Sequence, residues 1–133
     1  MRKLTLHNMF LILGAVVFLV GCSDRVTVTG KVTYIDGSPL QAGEVAFSDG
    51  RLVYRGNIDQ NGGYKLGGVH EGDGISPGMY EVYLIGAETM ETDENNVMRP
   101  VQLVAQKYLS PDTSELTCEV KGKMTFDFKV ERP

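Results

Sequence analysis

The chain has 133 residues, a formal charge of −4, 16 glycines, two cysteines and no tryptophan. That length supports one domain rather than several, and an acidic balance lacks the basic stripe that nucleic-acid binding calls for. The same balance argues against electrostatic docking on anionic lipid.

Arg2 and Lys3 open the chain, and Met9 to Val20 follow as an apolar run of twelve residues. Gly21 then stands before Cys22, and Ser23-Asp24-Arg25 stops the run. A spanning helix needs about 20 apolar residues, whereas signal-peptide cores run about 7–15. Leu19-Val20-Gly21-Cys22 resembles a bacterial lipobox, where the leader is cut between Gly21 and Cys22 and diacylglycerol is attached to the cysteine. The resemblance implies a signal peptide over 1–21, a lipidated tether over 22–25 and a domain over 26–133. An uncleaved N-terminal anchor, or an ordinary signal with an incidental cysteine, is the alternative. Each buried CH₂ contributes about 0.8 kcal/mol and a single acyl chain binds marginally, so stable anchoring takes two or more chains. A diacylglyceryl group on Cys22 meets that condition. Ser23 after the cysteine is similar to the outer-membrane sorting pattern of Gram-negative lipoproteins, with Asp24 one position later. The expected location is the cell envelope, lipid-anchored, with the outer membrane favoured. Without residues 1–21 the remaining 112 residues carry 11 basic and 17 acidic side chains, or −6.

With Cys22 acylated, Cys118 has no intramolecular partner. In Leu116-Thr117-Cys118-Glu119-Val120 it shares a face with Leu116 and Val120, which predicts a buried small hydrophobe.

After the tether, Val26 to Tyr34 alternates strictly, with Val26, Val28, Val32 and Tyr34 on one face: a half-buried strand. Asp36-Gly37-Ser38-Pro39 is a turn, and Leu40 and Val45-Ala46-Phe47 resume the apolar pattern before the turn at Ser48-Asp49-Gly50. Leu52–Ile58 and Tyr64–Leu66, flanking Asp59-Gln60-Asn61-Gly62-Gly63, predict a hairpin. Residues 67–76 read as irregular. Pro77-Gly78 launches a strand to Ile85 with Tyr80, Val82 and Leu84 inward. Glu88 to Asn96 is polar without an apolar period and predicts a solvated excursion, mobile or partly disordered. Val101–Val104 is extended, and the strands Leu116–Val120 and Met124–Val130 close the chain around Lys121-Gly122-Lys123. In the last, Met124, Phe126, Phe128 and Val130 alternate with polar residues. No long segment shows helical periodicity. About seven short strands with frequent turns predict an all-β, antiparallel β-sandwich, with a small barrel as its rival.

Val28-Thr29-Gly30-Lys31-Val32 leading to Asp36-Gly37-Ser38-Pro39-Leu40 and Gly43 to Phe47, then Asp59 to Tyr64, then Pro77-Gly78-Met79-Tyr80-Glu81-Val82, keep a common order and spacing. Together these motifs resemble the carboxypeptidase regulatory-like family, over about residues 26–86. Lys107-Tyr108, Thr113 to Leu116 and Phe126-Asp127-Phe128 are similar to the endings of small bacterial lipoproteins of this type. Gly62-Gly63 replaces a single glycine of the family pattern, and the stretch 88–96 has no counterpart. The resemblance implies a transthyretin-like (prealbumin-like) Greek-key sandwich and a non-catalytic accessory module, with no peptidase activity.

Candidate chemistry is sparse. His70 is the one histidine after the leader; a Ser-His-Asp arrangement would need it as base, and no Gly-x-Ser-x-Gly elbow occurs. Cys118 and His70 have no second thiol or imidazole at zinc-ligand spacing. Asp59 to Gly63 begins like a calcium loop, but Gly63, Tyr64 and His70 occupy its fifth, sixth and twelfth places, where other residue types are required. No cofactor is expected, and among seventeen acids a glycosidase-like pair would arise by chance. Tyr34, Tyr64 and Tyr80 read as core, leaving Tyr54, Tyr83 and Tyr108 as exposed aromatic candidates. A lipid-anchored accessory that binds an envelope protein through sheet edges or end loops is the first expectation. The alternative is a small-ligand or glycan binder using Tyr54, Tyr83 and the 67–76 loop, and a hydrolase built on His70 comes third.

Overall fold

The structure, a computed structural model, describes residues 24–70 and 72–133. The leader, Gly21 and Cys22 lie outside the described residues. In chain order the strands are β1 (Val28–Tyr34), β2 (Glu44–Ser48), β3 (Val53–Asn57), β4 (Gly63–Lys65), β5 (Gly78–Ile85), β6 (Glu88–Thr92) and β7 (Met98–Gln102). A 3₁₀ turn, Gln106–Leu109, then precedes β8 (Leu116–Val120), β9 (Met124–Thr125) and β10 (Phe128–Val130).

The fold is an all-β sandwich. One sheet runs β3-β2-β5-β8 and is antiparallel throughout. The other has β1 at its centre, with β4 antiparallel on one side and β9 and β10 on the other. With β9 and β10 counted as one bent strand, the sandwich has the expected seven strands. Two pairings differ from the expected pattern. The last strand runs parallel to β1, Val28 opposite Met124 and Val32 opposite Phe128. Parallel neighbours need a long crossover, and here the whole opposite sheet intervenes between them. The strands predicted as a hairpin, β3 and β4, belong to different sheets. Just past β4, Gly67 forms a bridge with Arg55 of β3, the two exchanging bonds of 3.0 and 2.9 Å. The turn at Asp59 therefore carries the chain across the sandwich rather than back along one sheet.

Alternation decides what the layers bury. Val28 and Val32 of β1, Phe47 of β2, Val82 and Leu84 of β5 and Val130 of β10 are fully enclosed. Phe126 meets Phe47 edge-on at 5.9 Å, and Tyr54 meets Tyr80 in the same manner at 5.9 Å. Such aromatic pairs add about 0.5–1.5 kcal/mol beyond the area they bury. The irregular stretch 67–76 still sends Ile75 into the core, where it exchanges backbone bonds of 2.8 and 2.9 Å with Val26. Cys118 is buried beside the Met124 sulfur, and burial pushes its thiol pKa up. It is an unreactive small hydrophobe.

The break between β9 and β10 is sealed by side chains. Asp127 accepts a bond from the Lys31 N–H at 2.8 Å, and the Tyr64 hydroxyl donates to the Phe126 carbonyl. Gly30 lies directly beneath, and a Cβ there would collide with that carbonyl and that hydroxyl. Only glycine lets the three strands close at this point.

The polar stretch 88–96 is ordered, contrary to its composition. It forms β6 and the turn of a two-stranded ribbon with β7, from Glu88 opposite Gln102 to Thr92 opposite Met98. Asp93 accounts for the order. Its backbone N–H bonds the Val97 carbonyl at 2.9 Å, and its Oδ1 accepts the N–H groups of Asn95 and Val97 at 2.8 and 3.0 Å.

Candidate functional site

Tyr54 and Tyr83, paired by sequence as exposed ligand contacts, lie on opposite sides of one sheet. The register sets Phe47 opposite both Tyr54 and Val82, and Ala46 opposite both Arg55 and Tyr83. Tyr54 therefore faces the core, where it is 5% exposed and its hydroxyl meets Ser76 Oγ at 3.2 Å. Tyr83 is half-buried on the outer face. No groove can use both rings. The sequence misplaces Tyr54 because Arg51 and Arg55 blur the alternation of β3. Tyr108, also expected outside, is buried by the 3₁₀ turn.

The loop carrying His70 is exposed, and the His70 N–H donates to Asp73 Oδ2 at 3.0 Å. Among the described residues no three histidine, cysteine, aspartate or glutamate side chains gather as a metal site. Asp59, first residue of the calcium-loop-like turn, spends Oδ1 on the N–H groups of Asn61 and Gly63 at 2.8 and 2.9 Å. Its carboxylate shapes a turn.

An open groove of about 860 Å³ crosses the outer face of β4, β1 and β9, lined by Thr29, Lys31, Lys65, Thr125, Asp127 and Asp59. Both aspartates are committed to backbone N–H groups, as described above. Its lining is polar, with two ammonium groups against two carboxylates, and the Tyr64 ring beneath it is buried. Nothing here sets a nucleophile against a base.

The β6–β7 ribbon is the most distinctive surface feature. Both of its strands are exposed nearly throughout. Met90 is opposite Pro100 and Thr92 opposite Met98, so Met90, Met98 and Pro100 share one face. Met90 and Met98 are 51% and 62% exposed. At the tip, Arg99 Nε meets Asp93 Oδ2 at 2.6 Å. The Val97 N–H, then this pair and the Asn95 N–H, hold the Asp93 pKa below the usual carboxylate range. Polar composition hides this element in the sequence, although Asp93-Glu94-Asn95-Asn96-Val97 repeats the pattern of Asp59-Gln60-Asn61-Gly62-Gly63. The two turns share their bonds: residue one to five at 2.9 Å and residue four to one at 3.0 Å in both.

Position gives the ribbon its interest. The described chain starts beside Val26 at the head of β1, and β1 runs seven residues, about 20 Å. At its far end the Tyr34 hydroxyl donates to the Leu103 carbonyl at 2.9 Å, and the Leu103 N–H bonds Ala87 at 2.9 Å. Ala87 and Leu103 are the base of the ribbon. The ribbon thus springs from the end of β1 remote from Val26.

Known proteins add little. No family model and no curated protein matches the chain. Among solved structures, a 9R-lipoxygenase from Cyanothece PCC8801 aligns at 17% identity and a TM-score of 0.37. The alignment covers 80% of this chain and 16% of the lipoxygenase, a likeness too slight to carry an argument about fold or activity. Among the described residues, no helix is long and apolar enough to cross a membrane.

Proposed function

We propose that this chain is a lipid-anchored accessory of the cell envelope, a non-catalytic module that binds another protein. The observation that carries the reading is the exposed face of Met90, Met98 and Pro100 on a ribbon at the end of β1 remote from Val26. An acylated Cys22 would hold residues 22–25 at the bilayer, and the sandwich begins at Val26 with almost no slack. With β1 upright on the bilayer, the exposed methionines would face away from the lipid surface. Methionine is flexible and polarizable, suited to contact surfaces that must adapt to a partner. The lipobox-like Leu19-Val20-Gly21-Cys22 and the motifs resembling the carboxypeptidase regulatory-like family support the same reading, with the outer membrane as the favoured location. The glycan-binding alternative has lost the tyrosine pair on which it was built.

The test is mass spectrometry of protein purified from native membranes, with detergent-phase partitioning of wild type and Cys22→Ala. The expected result is a chain beginning at a diacylglyceryl Cys22, and a variant that shifts to the aqueous phase. Wild-type protein carrying an unmodified thiol at position 22 and residues 1–21 still attached would overturn the reading.

A further inference from the structure

We propose that the outer edge of β6 pairs with the same edge of a second copy of this chain, antiparallel and centred on Met90. The direction of each backbone group on the ribbon follows from its two ends. At the base the Leu103 N–H bonds Ala87, and at the turn the Asp93 N–H bonds Val97, both at 2.9 Å. Bonded and non-bonded pairs alternate along an antiparallel ladder. Thr89–Val101 and Glu91–Arg99 therefore bond within the ribbon, while Glu88, Met90 and Thr92 point their backbone groups outward. On β7 the same alternation turns Pro100 outward, where it has no N–H to offer. A proline in that position blunts an edge against further pairing. The β6 edge carries no such block.

The sequence of β6 is self-complementary about Met90. Antiparallel pairing at that centre sets Met90 opposite Met90, Thr89 opposite Glu91, and Glu88 opposite Thr92. Every carboxylate meets a threonine, whereas centring on Glu88 or Glu91 would set like charges directly opposite, a destabilising arrangement. Four backbone donors are placed for this register. Glu88 already spends its N–H on the Gly86 carbonyl at 2.8 Å. In the Met90-centred register each Met90 N–H reaches the other copy's Met90 carbonyl, and each Thr92 N–H reaches a Glu88 carbonyl. The Glu88 N–H, which a full ladder would aim at the other copy's Thr92 carbonyl, stays with Gly86, so the pairing makes four bonds.

Pairing also answers the ribbon's isolation. Two strands alone are marginally stable in water, and three or more with a common apolar face are not. The dimer makes one four-stranded sheet and brings the Met90 and Met98 patches of both copies together. Two five-residue edges cover less than the roughly 1,200–2,000 Å² of a stable complex. The contact is therefore reversible and is favoured where copies are crowded. It does not depend on the lipid anchor.

Full-length protein purified in detergent, with Met90→Cys, tests the register. A hydrogen-bonded antiparallel pair places Cα atoms about 5.5 Å apart, within reach of a disulfide. Copper-phenanthroline oxidation and a non-reducing gel should give on the order of tenfold more dimer than Met79→Cys, whose site is 60% exposed and lies at the end of β5 away from the ribbon. Unsubstituted protein reports any linkage through Cys22 or Cys118. As a second variant, Met90→Pro removes the outward N–H and no bond within the ribbon, and should lose the dimer seen by sedimentation at high concentration. Equal cross-linking at positions 90 and 79, or identical sedimentation of Met90→Pro and wild type, overturns the proposal.

Discussion

Three inward tyrosines end on backbone carbonyls that strand pairing leaves without a partner. Tyr34 donates to Leu103 at 2.9 Å, Tyr80 to Ser76 at 2.5 Å, and Tyr64 to Phe126. Each ring fills the core while its hydroxyl fastens a loop or a bend, which is why these positions take tyrosine rather than phenylalanine. Burial also resists ionisation: it raises the pKa of Tyr34 and Tyr64 and pushes that of Tyr80 up to about 12. The folded state thus keeps protons that the unfolded chain gives up near pH 10. Stability is full below that value and declines as pH rises toward 12. The urea midpoint should hold steady from pH 7 to 9 and fall between pH 10 and 12, losing on the order of 2 kcal/mol. Tyr80→Phe should flatten part of that slope. A midpoint as high at pH 11.5 as at pH 8 would contradict this account.

Among the elements, the two five-residue turns give the sharpest contrast. The second places Asn96 at φ +64°, where the first places Gly62 at φ +82°. Asparagine tolerates the left-handed region better than most residues, but alanine pays about 1–2 kcal/mol there. Asn96→Ala should therefore speed amide exchange across 88–102 by roughly tenfold or more, and leave the amides of β1, β2 and β5 unchanged. A uniform effect would mean that the ribbon and the sandwich open together. The contrast also explains what the sequence could disclose. Inward positions of β1, β5 and the last strand were legible because a sheet with one buried face writes its burial as alternation. The ribbon is wet on both faces, so its strands carried no such pattern and their polar composition looked like disorder. Partnership was illegible for another reason. Periodicity says that β3 and β4 are strands, but the turn geometry at Asp59 decides that they join different sheets. Tyr54 shows the cost at a single residue: a blurred strand left its inward face unassigned, and it was read as surface.

For the whole molecule, the ribbon is separable from the fold that carries it. Ala87 and Leu103 are already hydrogen-bonded across its base, and Ala87 is fully buried. Between them, residues 88–102 contribute no side chain to the buried core. Replacing those fifteen residues by Gly-Gly would close a two-residue hairpin, the commonest connection between antiparallel neighbours. The core lining, the tyrosine ties at Ser76 and Phe126 and both sheets remain in place. Thermal unfolding of the shortened full-length protein should therefore shift by no more than about 0.5–1 kcal/mol equivalent. Shortening a loop costs little and slightly favours folding through closure entropy. Dimerisation and capture of envelope partners should disappear in the same variant. A large drop in stability would make the ribbon a structural strut and remove the reason to treat its methionines as a contact surface. A variant with unchanged stability and unchanged partners would place binding elsewhere, at the lysine-flanked groove on β1 and β4 or along the β8 edge. Retained stability with lost association is the outcome that an appended, solvent-exposed ribbon on a closed sandwich requires.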